Sequence, residues 1–170
     1  MRYASGVVRC WGANGRGQVA APASAAPLTV PVVWPTAGAI LLGAGGDRTC
    51  VAVDGASRLV RCSGTSPGGD VGPGATVLET PALSNAASLS VSAAVVCLHQ
   101  THEYDGSRLQ CDAPHAAIAR FALPHPCAPR SLCQKRYGYQ VALRGSDACL
   151  LEQNGPASKL QCSRGAAWSY

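Results

Sequence analysis

The chain has 170 residues and a net charge of +5, with 14% charged residues against roughly 25% in an ordinary soluble domain. Its arginines are scattered, as at Arg9, Arg16, Arg48, Arg58, Arg108 and Arg144, with no basic run; a nucleic-acid interface needs clustered charge, so nucleic acid is not an expected partner. Gly (19) and Pro (12) are abundant and Phe and Met occur once each, which suits short strands joined by turns better than long helices.

Residues 1–9 contain no apolar stretch of signal-peptide length. A secreted location therefore carries the expectation that residue 1 is not the start of the precursor. The longest uncharged run, residues 17–46, holds Pro22, Pro27, Pro31 and Pro35. Prolines at that density break any membrane helix, so membrane insertion is not expected.

Residues 20–27 read as an Ala/Pro/Ser loop. Residues 30–34 read as a short edge strand, because Pro31 cannot donate to a ladder. Residues 39–44 read as a buried strand running into glycines. Residues 49–53 and 58–62 are two β-prone runs flanking Asp54-Gly55-Ala56-Ser57, a hairpin signal. Folding that hairpin about Ala56 sets Cys50 opposite Cys62, Val51 opposite Arg61 and Val53 opposite Leu59. Opposed residues at a non-hydrogen-bonded site lie about 4.5 Å apart. That is at the short end of what a disulfide accepts, so a Cys50–Cys62 bridge is allowed.

Residues 63–74 read as a mobile Gly/Pro-rich linker. A second hairpin runs from Cys97 to Cys111 around Tyr104-Asp105-Gly106. Residues 124–133 carry an extra pair, Cys127 and Cys133, read as a small loop staple with an entropic gain on the order of 2–3 kcal/mol. A third hairpin runs from Cys149 to Cys162 around Asn154-Gly155-Pro156.

The hairpins end alike: Arg58-Leu59-Val60-Arg61-Cys62, Ser107-Arg108-Leu109-Gln110-Cys111 and Ser158-Lys159-Leu160-Gln161-Cys162, with Gly6-Val7-Val8-Arg9-Cys10 as a fourth copy. Cys10, Cys62, Cys111 and Cys162 thus recur at a period of roughly 50 residues, the mark of a repeat protein. Residues 1–18 form the tail of a preceding repeat. Residues 19–64 are the first unit, 65–113 the second, and 114–170 a divergent third with the extra cysteine loop. The paired cysteines lie 12, 14 and 13 residues apart and no C-x2-C zinc spacing occurs, which points to an oxidising compartment. Cys10 has no room upstream for a hairpin partner. It is expected to be unpaired, or bridged to a segment outside these residues.

The stretch Gly6-Val7-Val8-Arg9-Cys10-Trp11-Gly12-Ala13-Asn14-Gly15-Arg16-Gly17-Gln18 resembles the repeat signature of the regulator of chromosome condensation family. So does Gly43-Ala44-Gly45-Gly46-Asp47-Arg48-Thr49-Cys50-Val51-Ala52-Val53-Asp54-Gly55. The resemblance is specific for residues 1–64. Beyond them Ser63-Gly64, Asp112-Ala113 and Ser163-Arg164 stand where the first copy has Trp11-Gly12. It implies four-stranded blades of a β-propeller, with Trp11, Gly12, Gly45 and Gly46 in repeat packing, and its cysteine-paired subgroup implies a secreted or surface protein. The expected fold is all-β: a partial β-propeller-like array of about three disulfide-stapled four-stranded units, part of a larger propeller or assembly. A closed propeller needs at least about four blades.

Catalytic chemistry has little to stand on. His99 and His102 follow Cys97, with His115 and His125 further on. On a strand, residues 99 and 102 point to opposite faces, which argues against a metal site. Cys10 sits at a structural repeat position rather than beside a base. Gly43-Ala44-Gly45-Gly46 is followed by no helix pattern and no Lys-Ser or Lys-Thr, so it is not a phosphate loop. Trp34 reads as an edge cover. Trp11, Trp34 and Trp168 are the candidates for sugar stacking.

No enzyme, cofactor or metal is expected. The leading expectation is a structural or adhesive domain of an extracellular or cell-surface protein. It would meet other protein chains, or the rest of a longer polypeptide. The alternatives are a ligand-binding module, for glycans or as a protein inhibitor, and an intracellular nucleotide-exchange factor for a small GTPase.

Overall fold

The computed structural model describes residues 1–53, 58–66, 69–80, 85–102, 106–112, 137–144, 147–154, 157–164 and 167–168. Among them every regular element is a β-strand and every named pairing is antiparallel. Strands adjacent in sequence pair with one another, the topology that closely spaced β-prone runs allow without crossovers.

Four sheets follow in chain order. The first is β1 (Arg9–Asn14) with β2 (Ser24–Val33). The second is β3 (Ala39–Ala44), β4 (Arg48–Val53), β5 (Arg58–Ser66) and β6 (Gly69–Thr80). The third is β7 (Asn85–Val91), β8 (Val96–His102) and β9 (Gly106–Cys111). The fourth is β10 (Tyr137–Arg144), β11 (Asp147–Asn154), β12 (Ala157–Arg164) and β13 (Ala167–Trp168).

The hairpin register is the one the cysteine spacing dictates. Cys50 opposes Cys62, Val51 opposes Arg61 and Val53 opposes Leu59. Cys97 opposes Cys111, and Cys149 opposes Cys162. Residues 54–57, expected as the first of these turns, lie outside the described residues, as do 103–105 and 155–156.

Two expectations are corrected. Residues 63–66 and 69–74 are not linker: 63–66 extend β5 and 69–74 open β6, its partner. The glycines there sit at a break in register between Cys62 and Gly64, where a bulge bends the strand without ending it. Pro73 is tolerated because β6 is the sheet's edge. The loop expected over 20–27 gives way to β2 at Ser24, and Pro27 and Pro31 both lie in that edge strand. The sheets also divide the chain differently from the sequence units, since the boundary at 64/65 falls inside β5.

The pleat explains how the sheets stack. Alternate residues of β4 face opposite ways. Val51 and Val53, with Ala39 and Leu42 of β3, pack against Val8, Cys10, Val19, Ala20 and Trp34 on the first-sheet side. Cys50, Ala52, Val60, Cys62 and Leu78 pack against Val91, Val96 and Leu98 of the third sheet. Each Val or Leu side chain fully buried this way contributes about 1.5–3 kcal/mol. Strand β7 lies between β3 and β10, and the Ser90 hydroxyl donates to the Val141 carbonyl at the third-to-fourth junction. The first three sheets therefore each turn a cysteine face towards the sheet that follows.

Candidate interaction surface

Three disulfides staple the strand pairs at one equivalent place: Cys50–Cys62, Cys97–Cys111 and Cys149–Cys162, each with Cα atoms 4.1 Å apart. The expected Cys127–Cys133 pair lies outside the described residues. Cys10 holds the same repeat position but is a free, buried thiol. Its strand is paired on one side, where Cys10 opposes Val32 of β2. On the other side Met1 and Arg9 exchange backbone hydrogen bonds (2.7 and 2.8 Å). Burial pushes the Cys10 thiol up, more than the nearby N-terminal ammonium pulls it down, so the thiol stays protonated and weakly nucleophilic at neutral pH.

The second and third sheets are clasped by a buried ion pair that the sequence reading missed. Arg48 donates from Nη2 to Oδ2 of Asp112 at 3.0 Å, with side chains 1% and 9% exposed. The Val96 amide donates to the other carboxylate oxygen at 2.8 Å, and the Asp112 amide donates back to the Val96 carbonyl at 3.0 Å. The available signal was an acid directly after a hairpin cysteine, where the neighbouring units have Ser63 and Ser163.

Gly45 and Gly46 lie against Val91 and Ala93 of the third-sheet side. A Cβ on Gly45 would overlap the Val91 carbonyl, and Gly46, at φ +59°, lies against Ala93. The chain closes there only because both side chains are absent. Gly12 and Trp11 behave differently from what the resemblance implies. Gly12 has no neighbour near its missing Cβ and serves the register break of β1, at φ +107°. Trp11 is 50% exposed rather than packed between sheets, because Cys10 takes the inward face and alternation sends its neighbour out. Trp34 is 2% exposed and belongs to the core beside Cys10 rather than covering an outer edge.

A shallow hollow of about 230 Å³ opens beside β1, lined by Met1, Arg9, Cys10, Trp11, Leu42 and Thr49 among others. His99 is buried, and desolvation lowers its pKa below the ordinary histidine value. The side chains of His102 and Trp168, and residues His115 and His125 altogether, lie outside what is described. Among the described residues, no group of three or more His, Cys, Asp or Glu side chains is arranged to hold a metal ion.

Exposed large apolar side chains are confined to the two ends of the stack among the described residues. Met1, Tyr3, Trp11, Val30 and Val33 lie on or beside the first sheet, and Leu160 lies on the fourth. Burial of the bridged cysteines falls along the stack: Cys50 and Cys62 are fully buried, Cys97 is buried with Cys111 half-buried, and Cys149 and Cys162 are both half-buried. No helix among the described residues is long and apolar enough to cross a membrane. The multiple disulfides fit an oxidising compartment. Comparison with known proteins finds no matching family, no matching curated protein and no matching solved structure.

Proposed function

We propose that the chain is a non-catalytic structural or adhesive repeat domain of an extracellular or cell-surface protein, a scaffold for assembly with other chains. Its sheets act as successive blades of a β-propeller-type array. One observation carries the reading: antiparallel sheets follow one another in chain order, and the cysteine faces of the first and second are covered by the sheet that follows. Such an arrangement gives a rigid, repeating surface rather than one reactive centre. The resemblance of residues 1–64 to propeller repeats supports the same architecture.

The test is the intact mass of natively purified protein, with and without reduction and alkylation, joined to cross-linking in its native source. The reading expects every cysteine except Cys10 to be oxidised, and a protein partner or a longer polypeptide to be recovered. Free thiols throughout would transfer support to the intracellular exchange-factor alternative. A stable, partnerless monomer would sink the scaffold.

A second reading has one observation in its favour. The half-exposed Trp11 and its neighbour Arg9 border the hollow beside β1. An indole face with an adjacent donor suits a sugar ring. Saturable binding of the isolated chain on a glycan array, lost in Trp11→Ala, would favour a glycan-binding module over a pure scaffold.

A further inference from the structure

We propose that the chain associates head to tail with a second copy of itself, the cysteine face of the fourth sheet covering the outer face of the first. The inference rests on the scaffold reading and names its partner.

The argument starts from the pleat. On each sheet, residues flanking a cysteine in sequence point to the face opposite the cysteine. Inside the molecule these two kinds of face mate. The Cys10 face of the first sheet meets Val51 and Val53 of the second. The Cys50–Cys62 face of the second meets Val96 and Leu98 of the third. The Cys97 side of the third meets the fourth, where Val141, Ala148 and Leu150 are buried. The stack is therefore polar, with one kind of contact repeated in one direction.

Within these residues a polar stack leaves one face of each kind over. At the head it is the outer face of β1–β2, with Arg9 and Trp11 exposed on β1 and Val33, opposite Arg9, exposed on β2. At the tail it is the fourth sheet's cysteine face. There Cys149 opposes Cys162, Leu151 opposes Leu160, and Gln140 and Ala142 stand exposed on β10 beside Leu151 and Cys149. Leu160 is 65% exposed. These two faces carry Trp11, Val33 and Leu160, and no exposed large apolar side chain lies on the two inner sheets among the described residues.

Leftover faces of opposite kind, on one molecule, cannot meet each other without a ring, but they can meet between copies. The contact continues an interface the molecule already uses between its own sheets. It is heterologous, so repeated addition gives a closed ring or an open fibre rather than a two-fold dimer.

Sedimentation of the oxidised full chain across a wide concentration range tests this. The wild-type chain is expected to form species above the monomer mass as concentration rises. A head variant (Trp11→Glu with Val33→Glu) and a tail variant (Leu160→Glu) are each expected to stay monomeric. Mixed together they should give dimers and nothing larger, because each supplies the face the other lacks. Circular dichroism checks that both retain their strands, and Val33→Lys alone replaces the head variant should the double substitution unfold. Three outcomes overturn the proposal: a wild-type monomer at every concentration, association that survives either variant, or a mixture that stays monomeric. A monomeric chain that still captures a different protein in its native source removes the self-partner and keeps the scaffold. One that captures nothing removes both.

Discussion

The junction between the second and third sheets and the free end at the first sheet are built from the same repeat position with opposite results. At the junction the cysteine is bridged, its face is covered by Val91, Val96 and Leu98, and a buried ion pair clasps the edge. At the free end Cys10 is a lone thiol beside a hollow, and Trp11 stands half in solvent. The difference teaches that the unit of stability here is not the hairpin. A two-stranded hairpin alone is marginal in water, and a sheet becomes core only where the next sheet closes over it.

The largest expected effect follows from the clasp. Asp112→Ala leaves the Arg48 guanidinium buried without its counter-charge and is expected to cost about 3–5 kcal/mol in urea unfolding, whereas an apolar replacement of both partners costs far less. The exposed pair Arg16 and Asp70, 3.7 Å apart, is the control: Arg16→Ala is expected within about 1 kcal/mol of wild type. Equal losses at the two pairs would erase the distinction between junction and end.

The disulfides sharpen the same contrast. The Cys50–Cys62 and Cys149–Cys162 loops have sequence separations of 12 and 13, so the chain-entropy loss on replacing either pair by serine is nearly equal, about 2–4 kcal/mol. The inner pair adds buried hydroxyl groups without partners, about 1–3 kcal/mol more. The outer pair, half-exposed, is expected to be reduced first by mild dithiothreitol. Equal stability loss and simultaneous reduction would mean the fourth sheet's cysteine face is as covered as the second's. Cys10→Ala is a smaller change, about 1 kcal/mol, and alkylation of Cys10 is expected only slowly until the chain unfolds.

How much of this could be read beforehand depends on the range of the interaction. The pairing of Cys50 with Cys62 is local: a short spacing and an Asp-Gly turn leave one symmetric register. The strand character of 63–74 was hidden because Gly64, Pro73 and Gly74 carry turn signals, and only the neighbouring strand shows that a bulged edge absorbs them. Arg48 and Asp112 are 64 residues apart: the acid after Cys111 marks one partner by its departure from Ser63 and Ser163, but nothing beside it points to Arg48. The family motif implies packing for Trp11, but alternation against Cys10 along β1 sends it to the face opposite the core.

The smallest effect separates the third-to-fourth junction from the second-to-third. His99 shares with Cys97 the face of β8 turned from the second sheet, and burial lowers its pKa below the ordinary 6.5. A base whose folded pKa is depressed is neutral in the folded chain while the unfolded chain still takes up a proton. Stability is therefore complete above about pH 6.5 and declines as pH falls from there towards the lowered folded value, by at most about 1.4 kcal/mol per pH unit for one proton. His99→Gln is expected to flatten that slope. Because the histidine faces the fourth sheet, amide exchange in β10 and β11 should quicken over that window before exchange in β4 and β5. The reverse order would place the acid-sensitive contact at the clasped junction, and the two junctions would have to exchange roles.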